Sequence, residues 1–139
     1  MTGKILKGTT LWLWGGVVYY VIELLYRGYS HELMFVVGGV CFLLLSYINN
    51  YLPWKMAFVL QSVIGGLAIT AVELVSGIIL NIYLGLNIWD YTNMPMNVLG
   101  QICVPFSIAW VFIAAFGIWL DDFLRWKLFG EDEPKYRLI

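Results

Sequence analysis

Charge is scarce in this sequence. Asp, Glu, Lys and Arg make up 12% of its 139 residues, against about 25% in soluble domains. Apolar residues reach 61%, more than a soluble domain of this length has interior to hide. The net charge of -1 leaves no basic footprint, so no nucleic acid is expected as a partner. One histidine, His31, and two cysteines, Cys41 and Cys103, are too few donors for a zinc site built from this chain. Both cysteines lie inside apolar runs and read as small packing residues, not as a disulfide or metal site. There is no GxxxxGK[ST] loop and no HExxH, which excludes P-loop nucleotide binding and that class of zinc protease. No Ser-His-Asp or Cys-His arrangement is arguable, and nothing names a cofactor. A cleavage site is missing too. Lys4 and Lys7 precede an apolar stretch, as in a signal peptide, but the stretch runs on to Tyr26 and reads as a retained anchor.

What is present is long apolar runs. About 20 mostly apolar residues cross the hydrocarbon core as a helix, and such runs cover 10–26, 33–51, 56–80 and 97–120. The expected fold is an all-α integral membrane protein of four transmembrane helices, because helices satisfy every backbone hydrogen bond within the segment. The four-helix domain is expected to occupy 1–124, with a charged, loosely ordered tail over 125–139. Arg27, Gly28, Ser30, His31 and Glu32 end the first span. Asn49, Asn50 and Pro53 end the second, Lys55 marks an interface, and Asp121 and Asp122 end the fourth. With four crossings, Lys4, Lys7, Lys55, Arg125, Lys127, Lys135 and Arg137 fall on one side and Arg27 alone on the other. The positive-inside rule then places both termini in the cytoplasm of a bacterial inner membrane and the connection 85–95 outside.

Gly15-Gly16 and Glu23-Leu24 recur fifty residues on as Gly65-Gly66 and Glu73-Leu74. Gly38 and Cys41 are echoed more weakly by Gly100 and Cys103. The pattern suggests an internal repeat of helix pairs, related by a pseudo-two-fold axis along the membrane normal. Chance recurrence in low-complexity apolar sequence is the plain alternative.

Glu23 and Glu73 are the main candidates for chemistry. An ionised carboxylate within a span costs about 2.5 kcal/mol or more on insertion scales, so it faces a partner, water or the bundle interior. Arg27 lies one turn beyond Glu23, close enough for an interfacial pair. On the third helix Ser62, Gly66, Thr70, Glu73 and Gly77 form one stripe. Trp12, Gly16, Tyr20, Glu23 and Arg27 form the matching stripe on the first. The stripes read either as packing seams holding two hydrogen-bonded acids or as the wall of a polar pocket or ion or proton path centred on Glu73. Pro105, with Gln101 and Ser107, is read as a break that opens a cavity-facing patch in the fourth helix. In the outer connection Trp89 and Tyr91 suit an interfacial belt, while Asp90 and Asn93 suit turn caps. The candidate substrate-binding set is Glu73, Glu23, Thr70, Asp90, Trp89, Tyr91, Asn97 and Gln101.

Glu73-Leu-Val-Ser-Gly77, Trp89-Asp-Tyr91, Pro95-Met-Asn97, Gly100-Gln-Ile-Cys103 and Pro105-Phe-Ser107 with Trp110 resemble, in order and spacing, a bacterial membrane-protein family. It is labelled Putative ABC-transporter type IV, or CmpB-like. Its members carry an E-x-x-[ST]-G helix, a W-D-Y-[ST] loop, an F-N-x-x-G-x-I-C-L segment and a proline-bearing helix ending in Trp. The resemblance is tight over 65–110 and looser before it, through Gly15, Glu23 and Gly38. Met96 stands where the family has Phe, and the Gly-Pro and Cys-Pro elements of the second helix are absent near Gly38 to Phe42. The resemblance implies a permease-like role for a small or lipid-like substrate, with any ATPase on a separate chain. Two other classes stay open. One is an accessory or scaffold subunit that binds other membrane helices, a homodimer included. The other is an intramembrane enzyme with Glu73 and Asp90 as acid and base.

Overall fold

The computed structural model describes residues 2–28, 31–53 and 56–136, without the side chains of Thr2 and Arg27. Ser30, Lys55 and Arg137, among the expected breaks and cations, lie outside the described residues, as does the side chain of Arg27 in its pairing with Glu23. Four helices form an antiparallel bundle: α1 (Thr2–Arg27), α2 (Glu32–Tyr51), α3 (Phe58–Gly77) and α4 (Val104–Phe129). A π-helical segment, Ile78–Tyr83, extends α3. All four are long and apolar enough to cross a membrane, and the chain is a multi-pass membrane protein. Large apolar side chains such as Val17 and Val21 on α1, Val63 and Leu67 on α3, and Ile108 and Phe112 on α4 stay exposed on the bundle. Such rows suit lipid, which solvates them as well as a protein core does.

Glycines set how closely the helices approach. α1 packs mainly on α2, and α3 mainly on α4. A Cβ at Gly15 would run into Phe42, and one at Gly38 into Tyr19. A Cβ at Gly66 would lie 2.9 Å from the backbone of Val111, and one at Gly65 3.0 Å from Ala114. Such contacts are enriched wherever membrane helices pack tightly. Gly66→Val is therefore expected to push α4 off α3 and to cost about 1–3 kcal/mol, the usual penalty for overpacking. Thermal unfolding in detergent measures it, and a variant as stable as the parent would contradict the seam. Between the pairs, Cys41 and Leu45 of α2 meet Ile69 of α3 and Trp110 and Ala114 of α4 in one core cluster.

The fourth helix differs from the expected span at both ends. Asn97–Val98 (β1) and Ile102–Cys103 (β2) pair as a short antiparallel hairpin, with Asn97 opposite Cys103. Leu99 and Gly100 turn it through positive φ values of 55° and 71°. The helix begins only at Val104, so Pro105 stands in its first turn. There the missing N–H costs nothing, and proline starts the helix without breaking it. At the other end α4 runs through Asp121, Asp122 and Arg125 and stops at Gly130, which takes the left-handed cap conformation at φ 66°.

Asp121 and Asp122 stay helical because they are paired. Asp121 is fully buried; Arg125 Nε donates to both its oxygens at 3.0 Å, and Asn49 adds a second donor at 3.0 Å. Asn49 also donates to Asp122 at 2.7 Å, as does the Tyr136 hydroxyl at 2.6 Å. The Arg125 guanidinium reaches Ser46 on α2, and Glu131 pairs with Lys7 and Arg125. The Tyr136 ring lies 4.8 Å from that of Phe58 at the start of α3. Both described ends of the chain thus meet at one end of the bundle.

Partial burial alone would raise the Glu131 carboxyl, but the Lys7 hydrogen bond and the Arg125 charge outweigh it and hold it below its ordinary value. A carboxylate depressed by folding adds stability above its unfolded pKa and loses it as pH falls through the folded one. Segment 131–136 is therefore expected to stay docked at neutral pH and to release below about pH 4. Hydrogen exchange over those amides, corrected for intrinsic rates, reads this out; protection unchanged at pH 3 would contradict it.

Candidate functional site

The opposite end of the bundle carries the long connection between α3 and α4. It is tied down by polar groups that the sequence supplies in the loop. Asn81, in the π-helical segment, donates to Gln101 Oε1 at 2.7 Å and accepts from the Ile88 N–H at 2.7 Å. The Trp89 indole donates to the Gln101 carbonyl at 2.9 Å. Gln101 and Trp89 both lie against Gly77, where a Cβ would be only 2.6 Å from Gln101 and 3.0 Å from Trp89. Asn97 spans its own turn, donating to the Met94 carbonyl at 3.0 Å and accepting from the Gly100 N–H at 3.1 Å. Asp90 caps the next turn, accepting from the Thr92 N–H at 2.9 Å. Those Thr92 hydrogen bonds hold its carboxyl below the usual range, so it is a charged group at neutral pH.

Beneath this connection lies a cavity of about 570 Å³, a size that suits an organic small molecule. α1 contributes Tyr19 and Glu23, α2 Met34 and Cys41, α3 Glu73 and Ser76, the connection Trp89, Asp90 and Tyr91, and α4 Phe106 and Trp110. Glu73 is 7% exposed. Its carboxylate accepts from the Trp110 indole N–H, and the Tyr91 hydroxyl is near enough to act on the same group. Glu23 is near enough to act on it electrostatically. Burial, then the nearby charge of Glu73, push the Tyr91 phenol well above its usual value, so it stays a neutral donor.

The expected site residues divide in two. Glu73, Glu23, Trp89, Asp90 and Tyr91 come together on the cavity wall. Thr70, Asn97 and Gln101 lie off it. Thr70 Oγ1 bonds Ser107 at 3.2 Å across the α3–α4 seam, and Asn97 and Gln101 hold the loop in shape. Pro105 and Ser107, expected on a cavity-facing patch, are likewise off the wall, because the helix starts before them. Along the α3 stripe, Gly66 and Thr70 lie on the packed α3–α4 seam, Glu73 lines the cavity, and Gly77 packs on Gln101 and Trp89. Residue reasoning missed Tyr19, which lines the cavity where Tyr20 was expected, and Phe106, which stacks on Tyr91 at 4.8 Å. Trp110 entered only through the family pattern. Among the described residues, no group of three metal-ligating side chains comes together.

A second, polar cleft of about 320 Å³ lies at the Asp122 end. Its charged groups are largely spent on one another in the Arg125 network, so it is the weaker candidate.

A family model described as Putative ABC-transporter type IV matches residues 4–128. The match takes in nearly the whole four-helix unit and runs well beyond the stretch 65–110. No curated protein and no solved structure matches the chain.

Proposed function

The chain belongs to the Putative ABC-transporter type IV family, and from that premise we propose that it is a small permease-like protein that binds or passes a small or lipid-like substrate through the cavity beneath the α3–α4 connection. The observation that carries this reading is Glu73. A carboxylate placed within a span, held by the Trp110 indole and turned onto a cavity, is costly unless something uses it. Gly15 closes on Phe42 of α2 and Gly66 on Val111 of α4, so each helix pair has a glycine seam, but Gly65 meets Leu45 of α2 before Ala114 of α4 and the two seams are out of register. Glu23 and Glu73 line one common space. The charge split supports cytoplasmic termini in a bacterial inner membrane, with the cavity toward the outer face. Any ATP-driven step would come from a separate subunit.

Cysteine labelling tests accessibility and orientation together. Ser76 lines the cavity and donates to the Val72 and Glu73 carbonyls of its own helix. In a background with Cys41 and Cys103 replaced by alanine, Ser76→Cys is expected to react with a small membrane-impermeant thiol reagent added outside intact cells. A thiol that reacts only in inverted vesicles would reverse the orientation. One that reacts from neither side would remove the water-filled path.

A further inference from the structure

We propose that the cavity's ligand is an organic cation, recognised through an ammonium group seated between Glu73 and the surrounding aromatic faces. This rests on the reading of the cavity as a binding site and names the chemistry it would select. Two aromatic groups meet at the space. Tyr19 and Trp110 lie 5.7 Å apart and tilted. Phe106 stacks on Tyr91 and meets Tyr26 edge-on at 6.1 Å. All five rings line the cavity, and among its described lining residues there is no Lys, Arg or His. The formal charges on the wall are therefore carboxylates.

Neither an anion nor a purely apolar molecule suits such a wall. An anion would face Glu73 with no cation among the described lining residues to offset the repulsion. An apolar ligand would strip water from the carboxylate and return nothing. A compact, weakly hydrated ammonium does both jobs. It neutralises the carboxylate in a low-dielectric setting, and its methyl or methylene groups lie against ring faces whose quadrupoles attract positive charge. The hydrogen bond from Trp110 orients Glu73 and leaves its remaining lone pairs for the ligand. A metal ion fits less well, because among the described residues no three metal-ligating side chains converge.

The shared chemistry, an ammonium group, is carried both by free amines and by zwitterionic lipid headgroups. The test uses choline and its uncharged carbon isostere, dimethylbutanol, titrated into the purified protein in phosphatidylglycerol nanodiscs and followed by tryptophan fluorescence. Choline is expected to bind at least about tenfold more tightly than the isostere. Glu73→Gln is expected to abolish that preference, and Glu73→Asp, which keeps the charge, to retain most of it. Repeating the titration in phosphatidylcholine nanodiscs separates the sources. Unchanged choline binding supports a free ammonium ligand, and lost binding supports occupation by the lipid headgroup. Isostere binding as tight as choline, unaffected by Glu73→Gln, would overturn the cation assignment and leave the cavity a binding site of another class. Binding of neither compound would overturn the assignment as well, and Ser76→Cys labelling then decides whether the cavity itself survives.

Discussion

Arg125→Ala is expected to destabilise the bundle by about 3–5 kcal/mol. The substitution leaves Asp121, fully buried, without the guanidinium that meets both its oxygens at 3.0 Å. A buried pair contributes little net stability when intact, because desolvation offsets the Coulomb gain. Breaking it from one side is what costs, since the remaining charge must be protonated or hydrated. The loss also removes the Arg125 contacts to Ser46 on α2 and to Glu131, which keeps its pair with Lys7 of α1. Thermal unfolding in detergent gives the size of the effect. Arg125→Met combined with Asp121→Leu is expected to recover most of it, because no orphan charge remains. A single variant as stable as the parent would show that Asp121 is satisfied without Arg125.

Glu73→Gln is expected to leave stability within about 1 kcal/mol of the parent and to weaken ligand retention by about tenfold to a hundredfold. The stability expectation follows from the isosteric amide, whose oxygen still accepts from the Trp110 indole. The binding expectation follows from the charge, since hydrogen bonds to a charged group contribute about 1.5–3 kcal/mol. Quantifying a co-purifying small molecule in organic extracts of both proteins, beside their melting curves, separates the two effects. A folded Glu73→Gln protein with undiminished retention would remove Glu73 from the site. A protein that fails to fold would show that its carboxylate is a packing element.

Length and hydropathy were enough to read four membrane helices, and two of the three gaps between them fell within a few residues. The fourth helix was misplaced at its start because Val98, Leu99, Ile102 and Cys103 are as apolar in a hairpin as in a helix. Only the turn at Leu99 and Gly100 distinguishes them, and Pro105 suits either a kink or a first turn. Its far end was hidden because Asp121 and Asp122 look like a span's end until Arg125, one turn later, is seen to pair inward. Glu73 stood out in sequence because acids are rare in apolar runs. Its neighbours did not: Tyr19 and Tyr20 are both aromatic on a helix apolar nearly all round, so periodicity left the phase open by one residue. Thr70 is a polar residue of the α3 stripe, Gln101 of the Pro105 patch and Asn97 of the outer connection, and polarity alone does not tell a side chain that holds the frame from one that faces the space. The cavity is a product of how α1 and the α3–α4 connection stand off the central core, and no local pattern encodes that gap.

The most direct measurement is native mass spectrometry of the protein released from membranes in mild detergent, beside Ala109→Trp, whose larger side chain would fill the cavity wall at a position that Ala109 lines. The account predicts a non-protein mass of small-molecule or lipid size on the parent protein and its absence from a folded Ala109→Trp variant. A parent protein that emerges bare, or bound only to another polypeptide, would contradict it and favour an accessory subunit whose seams bind other helices.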